Sequence, residues 1–254
     1  METWEDEAVV LSARLHGEGH AIATVFTPTQ GVRRGLVYGG AGRRGRATWQ
    51  SGNVLAARWQ ARLADQLGRL EGEALCAASA AALGDPLALA VVASACAVAE
   101  AGLPEAEPHP RAYAALVALF GRLDAGEELV ADYVRWEIVL LAELGYGLDL
   151  SACALTGARE GLAFVSPRTG RAVTAAAAGP WRERLLPLPA FLVDAAAPSS
   201  PGDLAAGLRL TGHFLARDVF GAAHRPPPPA RERLVAAIEA RAAARPTEAE
   251  RAAP

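Results

Sequence analysis

The 254-residue chain contains no lysine, and all 25 of its basic residues are arginine. Every cationic side chain is therefore a planar guanidinium, which suits bidentate contact with phosphate and stacking on flat rings. Cysteine is also scarce. The chain has three, Cys76, Cys96 and Cys153, and they are widely spaced. Such a set excludes a dense disulfide framework and favours a reducing compartment.

Long hydrophobic runs are missing as well. The longest uncharged apolar run begins at Pro86 and ends before Glu100, which is too short to span a bilayer and predicts a buried helix. The first seven residues include four acidic side chains and no basic one, which excludes a secretory signal with a basic start. We therefore expect a cytoplasmic protein with no membrane partner.

Acidic residues are absent from one long stretch. Between Gly19 and Ala64 lie seven arginines and not one Asp or Glu, although the whole chain has a net charge of −3. The tightest basic cluster is residues 39–46, Gly-Gly-Ala-Gly-Arg-Arg-Gly-Arg. A concentrated cationic segment with interleaved aromatic residues predicts contact with a phosphate backbone. The alternative is a solvated Gly/Arg loop without a ligand.

The periodicity of the chain changes near Cys76. Before it, five short apolar segments separated by glycine predict strands, and their number and spacing suit an OB-fold, a small barrel that binds oligonucleotides. The predicted strands are 8–13, 21–26, 31–38, 54–59 and 67–75. After it, helices are predicted at 86–102, 110–123, 127–144, 200–220 and 231–244, with a loop or small β excursion from 148 to 174.

These patterns predict an α+β protein in three parts. Residues 1–76 form an OB-fold DNA-binding domain, residues 77–245 a helical domain, and residues 246–254 a frayed tail. In the barrel, arginines would neutralise phosphates and a tryptophan would stack on a base. The candidate DNA-binding residues are Arg33, Arg34, Arg43, Arg44, Arg46, Trp49, Arg58 and Arg62. For Trp59 we favour a place in the barrel core.

Residues 40–45 match the pattern G-x-G-x-x-G after a predicted strand. A dinucleotide site would also need a helix that begins at once, and the residues that follow are poor helix formers. The pattern is therefore interpreted as a flexible basic loop between two barrel strands. No nucleophile and base stand in a recognisable arrangement, so we predict that the protein is not an enzyme.

Arg135 lies on a predicted helix whose apolar residues recur at helical spacing. One interpretation is a surface arginine. The other is a contact with a carboxylate, because a guanidinium beside an apolar groove suits an acidic-hydrophobic peptide tail.

Several segments, in this order, resemble the bacterial RecO family of DNA repair and recombination mediators across nearly the whole chain. The segments are residues 7–12, 20–26, 31–42, 133–150 with Cys153, 164–171, and 209–221 with 231–234. The most specific of them contains the sequence Glu143-Leu-Gly-Tyr-Gly147.

The resemblance implies an N-terminal OB-fold, a helical C-terminal domain and a nucleoid-associated, non-catalytic protein without a cofactor. Members bind single- and double-stranded DNA, anneal complementary strands and help to load RecA onto DNA coated by single-strand-binding protein. Their partners are RecR, in some species RecF, and the acidic C-terminal tail of single-strand-binding protein. The resemblance makes Arg135 the candidate contact for that tail.

One departure from the family concerns zinc. Many relatives carry a four-cysteine zinc site in the excursion after the Gly-Tyr-Gly sequence. Here only Cys153 is retained, and Thr156, Thr174 and Ala177 occupy the other three positions. A structural zinc site needs four ligands, so we predict no metal and a degenerate zinc module at residues 148–180.

Overall fold

The computed structural model describes residues 2–63 and 66–244, which divide into two compact units between Gly126 and Glu127. The fold is α+β, with an N-terminal sheet followed by a helical region, as the sequence predicts. The predicted frayed tail at 246–254 lies outside the described residues.

The five N-terminal strands close into a barrel in the order β1-β2-β3-β5-β4. They are β1 (Glu2–His16), β2 (His20–Thr27), β3 (Gly31–Val37), β4 (Val54–Ala61) and β5 (Gly68–Cys76). The pairs are antiparallel except β3 and β5, which pair in parallel and close the barrel. All five predicted strands are confirmed. β1 begins earlier than predicted, because its acidic start pairs with β4 and places Trp4 opposite Trp59.

Helices complete the first unit. They are α1 (Arg43–Thr48), α2 (Ala78–Ala81) with a 3-10 turn at 82–84, α3 (Pro86–Gly102) and α4 (Pro110–Phe120). Glu100 of α3 accepts hydrogen bonds from Ser12 and Thr24 on the strands, at 2.6 and 3.1 Å. Phe26 and Tyr113 pack edge to face with their centroids 5.5 Å apart. The compact unit therefore continues past residue 76, where the periodicity changes, and the domain division at that residue stays a prediction.

The second unit combines helices with a small sheet. The helices are α5 (Glu128–Glu143), α6 (Ala175–Ala178), α7 (Pro201–Phe214) and α8 (Pro229–Ala244), and a π-helical segment at 215–220 continues α7. The sheet has the order β7-β6-β8, formed by β6 (Leu162–Val165), β7 (Ala172–Thr174) and β8 (Leu186–Pro187). The predicted excursion is thus a β element, followed by 3-10 turns at 179–184 and 190–192. In residues 2–63 and 66–244, no helix is both long and apolar enough to cross a membrane.

A buried ion pair joins three helices of this unit. Arg231 of α8 donates to both oxygens of Glu137 on α5, from Nε at 2.7 Å and from Nη2 at 2.9 Å. Thr211 of α7 and Tyr133 also donate to this carboxylate. Gly212 makes room for the guanidinium, because a Cβ there would lie 2.8 Å from Arg231 Nη1. Each polar group of the network thus has a partner, as buried charges require.

Candidate nucleic-acid interface

The basic cluster of residues 39–46 ends in the short helix α1, so the prediction of a flexible loop is wrong. Gly45 lets this helix lie against the preceding turn, because a Cβ at Gly45 would stand 2.5 Å from the carbonyl oxygen of Gly39. The buried Asn53 amide donates to the carbonyls of Ala47 and Thr48, at 2.9 and 3.0 Å, and so caps the C-terminal end. The helix therefore packs against the preceding turn and is capped at its C-terminal end.

The helix presents Arg43, Arg44 and Arg46 to solvent. Among the described residues, no carboxylate lies within ion-pair distance of these three guanidinium groups. We call Arg43, Arg44 and Arg46 the arginine helix. Since cationic groups without a protein partner are free to meet phosphates, this surface has the charge that a nucleic-acid backbone needs.

Two open grooves adjoin the arginine helix. One, of about 330 Å³, runs between Arg46 and the β1–β2 hairpin, where Leu15 and Ala21 line it. The other, of about 400 Å³, is bordered by Arg43, Arg46 and Gln50. Both grooves belong to the first compact unit, so the surface beside the arginines is concave as well as positive.

The two arginines of β3 do not share one surface. Neighbouring side chains of a strand point to opposite faces, and Arg33 lies on the side of the barrel interior, with its guanidinium 5.6 Å from the centroid of the Trp59 ring. Arg34 lies on the outer face, opposite Thr24 of β2. Arg34 is exposed and Arg33 is half-buried, so the two arginines lie on different faces of the barrel wall, and the contact of each with phosphate stays a prediction.

Arg58 lies in an acidic environment. On the outer face of β4 it stands 3.5 Å from Glu5 and is opposite Glu71 in the β-ladder. The Glu5 carboxylate therefore offsets part of its charge, and the Glu71 carboxylate is itself paired with Arg69, which makes Arg58 the least favourable of the predicted phosphate contacts. Arg62 follows the end of β4 and is exposed.

Both tryptophans that follow the basic cluster are buried in the barrel. Trp49 is 5% exposed and Trp59 1%, and both belong to the barrel core. The prediction that Trp59 is a core residue is confirmed. The prediction that Trp49 stacks on a base is wrong, because the end of α1 turns its ring inwards into the barrel core.

Tyr38 is the exposed aromatic residue next to the arginine helix. Its ring is 57% exposed and lies edge to face with His20 at 5.0 Å, while the guanidinium of Arg69 lies over it at 5.0 Å. An exposed ring with cations beside it can stack on bases. Sequence reasoning missed this role, although an aromatic residue at the end of a strand and next to the basic cluster was the available signal.

Arg135, the predicted peptide contact, lies on α5 in the second unit. Its guanidinium donates to Asp132 at 2.8 Å and to the carbonyl oxygen of Phe191 at 3.1 Å. It also lies 5.4 Å from the centroid of the Phe191 ring. The side chain is half-buried, so these contacts fix the direction in which it could meet an incoming carboxylate.

Thr156, Thr174 and Ala177, the positions at which relatives would carry the other zinc-binding cysteines, lie around Cys153. The backbone N–H of Thr174 donates to the Cys153 sulfur at 3.4 Å, and the Thr174 hydroxyl accepts from Ala177 N at 3.2 Å. The hydrogen bond from the Thr156 hydroxyl outweighs the effect of burial, and with the backbone donors it lowers the pKa of Cys153 to about 6.

Within 2–63 and 66–244, no group of three or more His, Cys, Asp or Glu side chains could hold a metal ion. One thiol with threonine and alanine neighbours does not fit structural zinc.

These observations define an α+β protein with a positively charged barrel surface, joined in sequence to a helical unit. Family models for the N-terminal and C-terminal parts of recombination protein O match residues 1–77 and 83–226. The chain belongs to the recombination protein O family.

Curated relatives agree with this assignment over most of the chain. A DNA repair protein RecO from Granulibacter bethesdensis is 54% identical over 93% of this chain and 96% of its own length. Relatives of the same name from Gluconacetobacter diazotrophicus and Acidiphilium cryptum are 53% and 55% identical, over 93% and 90% of this chain and 95% and 92% of theirs.

Proposed function

We propose that this protein is a DNA repair and recombination mediator that binds single- and double-stranded DNA on its barrel and anneals complementary strands. The observation that carries the proposal is the arginine helix, a set of exposed guanidinium groups that no described carboxylate neutralises. Contacts to phosphate position a strand without reading its sequence. When guanidinium groups neutralise the phosphates of two strands at once, the repulsion between the strands falls, and this favours annealing.

We infer that the barrel is an OB-fold. Support comes from its five-stranded closed order and from the parallel β3–β5 pair. OB-folds bind oligonucleotides on the face of strands two and three and on adjoining loops. Here β2 and β3 carry His20 and Arg34, Tyr38 follows β3, and the arginine helix comes next.

In the same proposal the helical unit binds proteins. It docks the acidic tail of single-strand-binding protein at Arg135, and the whole chain works with RecR, in some species with RecF, to load RecA. The relatives' shared name, DNA repair protein RecO, supports the repair role. The protein supplies binding surfaces and no catalytic group.

The rival proposal is a protein–protein adaptor whose barrel binds RecR and touches DNA only indirectly. The arginine helix is exposed and has no ion-pair partner among the described carboxylates, which favours direct contact with DNA. If the protein is an adaptor, replacing these arginines should leave its result in DNA-binding assays unchanged.

Titration of the full chain with labelled single-stranded DNA of two unrelated sequences, at low and moderate salt, tests the proposed function. We expect equal affinity for both sequences and a steep loss of affinity as salt rises, together with faster annealing of complementary strands. Absence of binding at low salt, or affinity that is independent of salt, would contradict direct DNA binding.

Replacement of Arg135 by alanine tests the peptide site. Removing one charge-assisted contact should weaken binding of the single-strand-binding-protein tail peptide by on the order of tenfold or more, while naked DNA binds as before. Arg209→Ala is the matched control, because Arg209 also lies on a helix of this unit and pairs with a carboxylate, Glu239, at 3.5 Å. Equal tail affinity in the Arg135 variant and the control, measured by fluorescence anisotropy, would refute the assignment.

We also infer that residues 148–180 are a degenerate zinc module whose ligand positions are still grouped. The variant Thr156→Cys, Thr174→Cys and Ala177→Cys should bind about one zinc ion per chain, because it restores four thiolates around Cys153. The wild-type chain should bind none. The control places cysteines at Ser151, Ser166 and Thr169 instead. Metal analysis that finds zinc in the wild type, or none in the restored variant, would contradict this inference.

A further inference from the structure

A second basic surface lies on the small β excursion of the helical unit. A groove of about 690 Å³ opens there, with Leu155, Val173 and Trp181 among its apolar lining. Leu155 is 68% exposed and Trp181 is 58% exposed. An exposed indole that adjoins an exposed leucine and an apolar groove is a candidate binding surface, because contiguous exposed apolar patches mark interaction sites.

The charges around this groove have one sign. Arg168, Arg171 and Arg184 line it, and among the residues that the structure describes no acidic side chain does. Arg171 stands 3.5 Å from Asp149, but no described carboxylate lies within ion-pair distance of Arg168 or Arg184. The groove therefore suits an anionic occupant that also has a flat or apolar part.

The arrangement of rings and guanidinium groups narrows the choice of occupant. Arg184 lies over the Trp181 ring, with 5.4 Å between its guanidinium carbon and the centroid. Arg182 lies at the same distance over Phe164. Phe164 is buried and, like Arg182, does not line the groove. The exposed ring of Trp181 is therefore the surface on which a base of a single strand could stack, with Arg168 and Arg184 beside it for the phosphates. The groove volume is that of a small-molecule site and is ample for a base with its sugar.

We propose that this groove is a second single-stranded DNA site, in which a base stacks on Trp181 while Arg168 and Arg184 contact the flanking phosphates. The inference rests on the proposed function and adds a stacking site in the second compact unit to the phosphate site of the barrel. A duplex keeps its bases stacked and paired, so the groove selects single strands.

Intrinsic fluorescence tests the proposal, because Trp181 is the one exposed tryptophan among the described residues. Trp49, Trp59 and Trp136 are buried, and Trp4 is half-buried against Trp59. Titration of the full chain with oligothymidine should quench the fluorescence, whereas duplex DNA should not. In Trp181→Ala the quenching should disappear, and affinity for single strands should fall about 5- to 150-fold, the range measured when one stacking ring is removed.

Three further variants keep the test independent of folding. Trp181→Phe retains a ring and should keep most of the affinity that Trp181→Ala loses. Tyr146→Ala removes another exposed aromatic residue of the same unit and should change nothing. Arg168→Glu with Arg184→Glu should weaken single-strand binding and leave duplex binding intact.

The outcomes also separate this proposal from the proposed function. Binding of oligothymidine by anisotropy without any tryptophan quenching would overturn the groove as a DNA site and leave the barrel site standing. No binding in either measurement would overturn both. Quenching by an acidic peptide with an aromatic C-terminus, and none by oligothymidine, would show that the groove takes a protein tail and would also overturn the proposal.

Discussion

Replacing Arg43, Arg44 and Arg46 together by glutamate should weaken single-stranded DNA binding by on the order of 100-fold at about 0.1 M salt, for all sequences alike. Three phosphate contacts release about two counterions on a single strand, and their loss removes about two decades of affinity at this salt concentration. Annealing should slow in parallel. Fluorescence anisotropy with two unrelated oligonucleotides measures the first effect, and strand-pairing kinetics measures the second.

The matched control changes net charge equally but elsewhere. Arg209, Arg225 and Arg233 are exposed residues of the second unit, and the corresponding triple glutamate variant should bind DNA nearly as tightly as the wild type. Equal losses in both triple variants would mean that net charge alone governs binding, and no loss in either would favour the adaptor.

Replacement of Arg231 by methionine should lower the free energy of unfolding of the second unit by about 3–5 kcal/mol, because it leaves the Glu137 carboxylate buried without its partner. The side chain of Glu137 is fully buried and that of Arg231 is 7% exposed. Burial alone would lower the pKa of Arg231, but the Glu137 carboxylate outweighs this effect and raises the pKa. Urea unfolding followed by circular dichroism measures the loss.

The double variant Glu137→Met with Arg231→Met is the control for this pair. It removes both charges and should be less destabilised than Arg231→Met alone, since no unpaired charge is left in the core. A single variant that loses less than about 1 kcal/mol, the range of an exposed pair, would contradict the account of this network.

Local patterns were sufficient to predict most of the secondary structure. The pair Asp85-Pro86 is typical of a helix start, and the Asp85 side chain accepts a hydrogen bond from Leu87 N at 2.8 Å where α3 begins. Ser200 and Asp203 have the spacing of a capping box, which is present at the start of α7. Each signal depends on neighbours within one helical turn, so it can be read without knowledge of the fold.

The roles of individual barrel residues depended on contacts that sequence does not reveal. Trp49 follows three arginines and looks accessible, yet the turn at the end of α1 carries it into the core. Arg33 and Arg34 are adjacent in sequence, but the pleat of β3 separates them. Arg58 is offset by Glu5, which lies more than fifty residues earlier and is brought near only by the β1–β4 pairing. These outcomes follow from barrel closure and register.

Arginine-specific chemical footprinting tests the central claim, direct DNA contact by the arginine helix, most directly. The full chain is treated with phenylglyoxal at low salt, with and without saturating single-stranded DNA, and modified residues are quantified by mass spectrometry. The account predicts strong protection of Arg43, Arg44 and Arg46 and little protection of the acid-flanked Arg58. Equal modification of the arginine helix with and without bound DNA would contradict it.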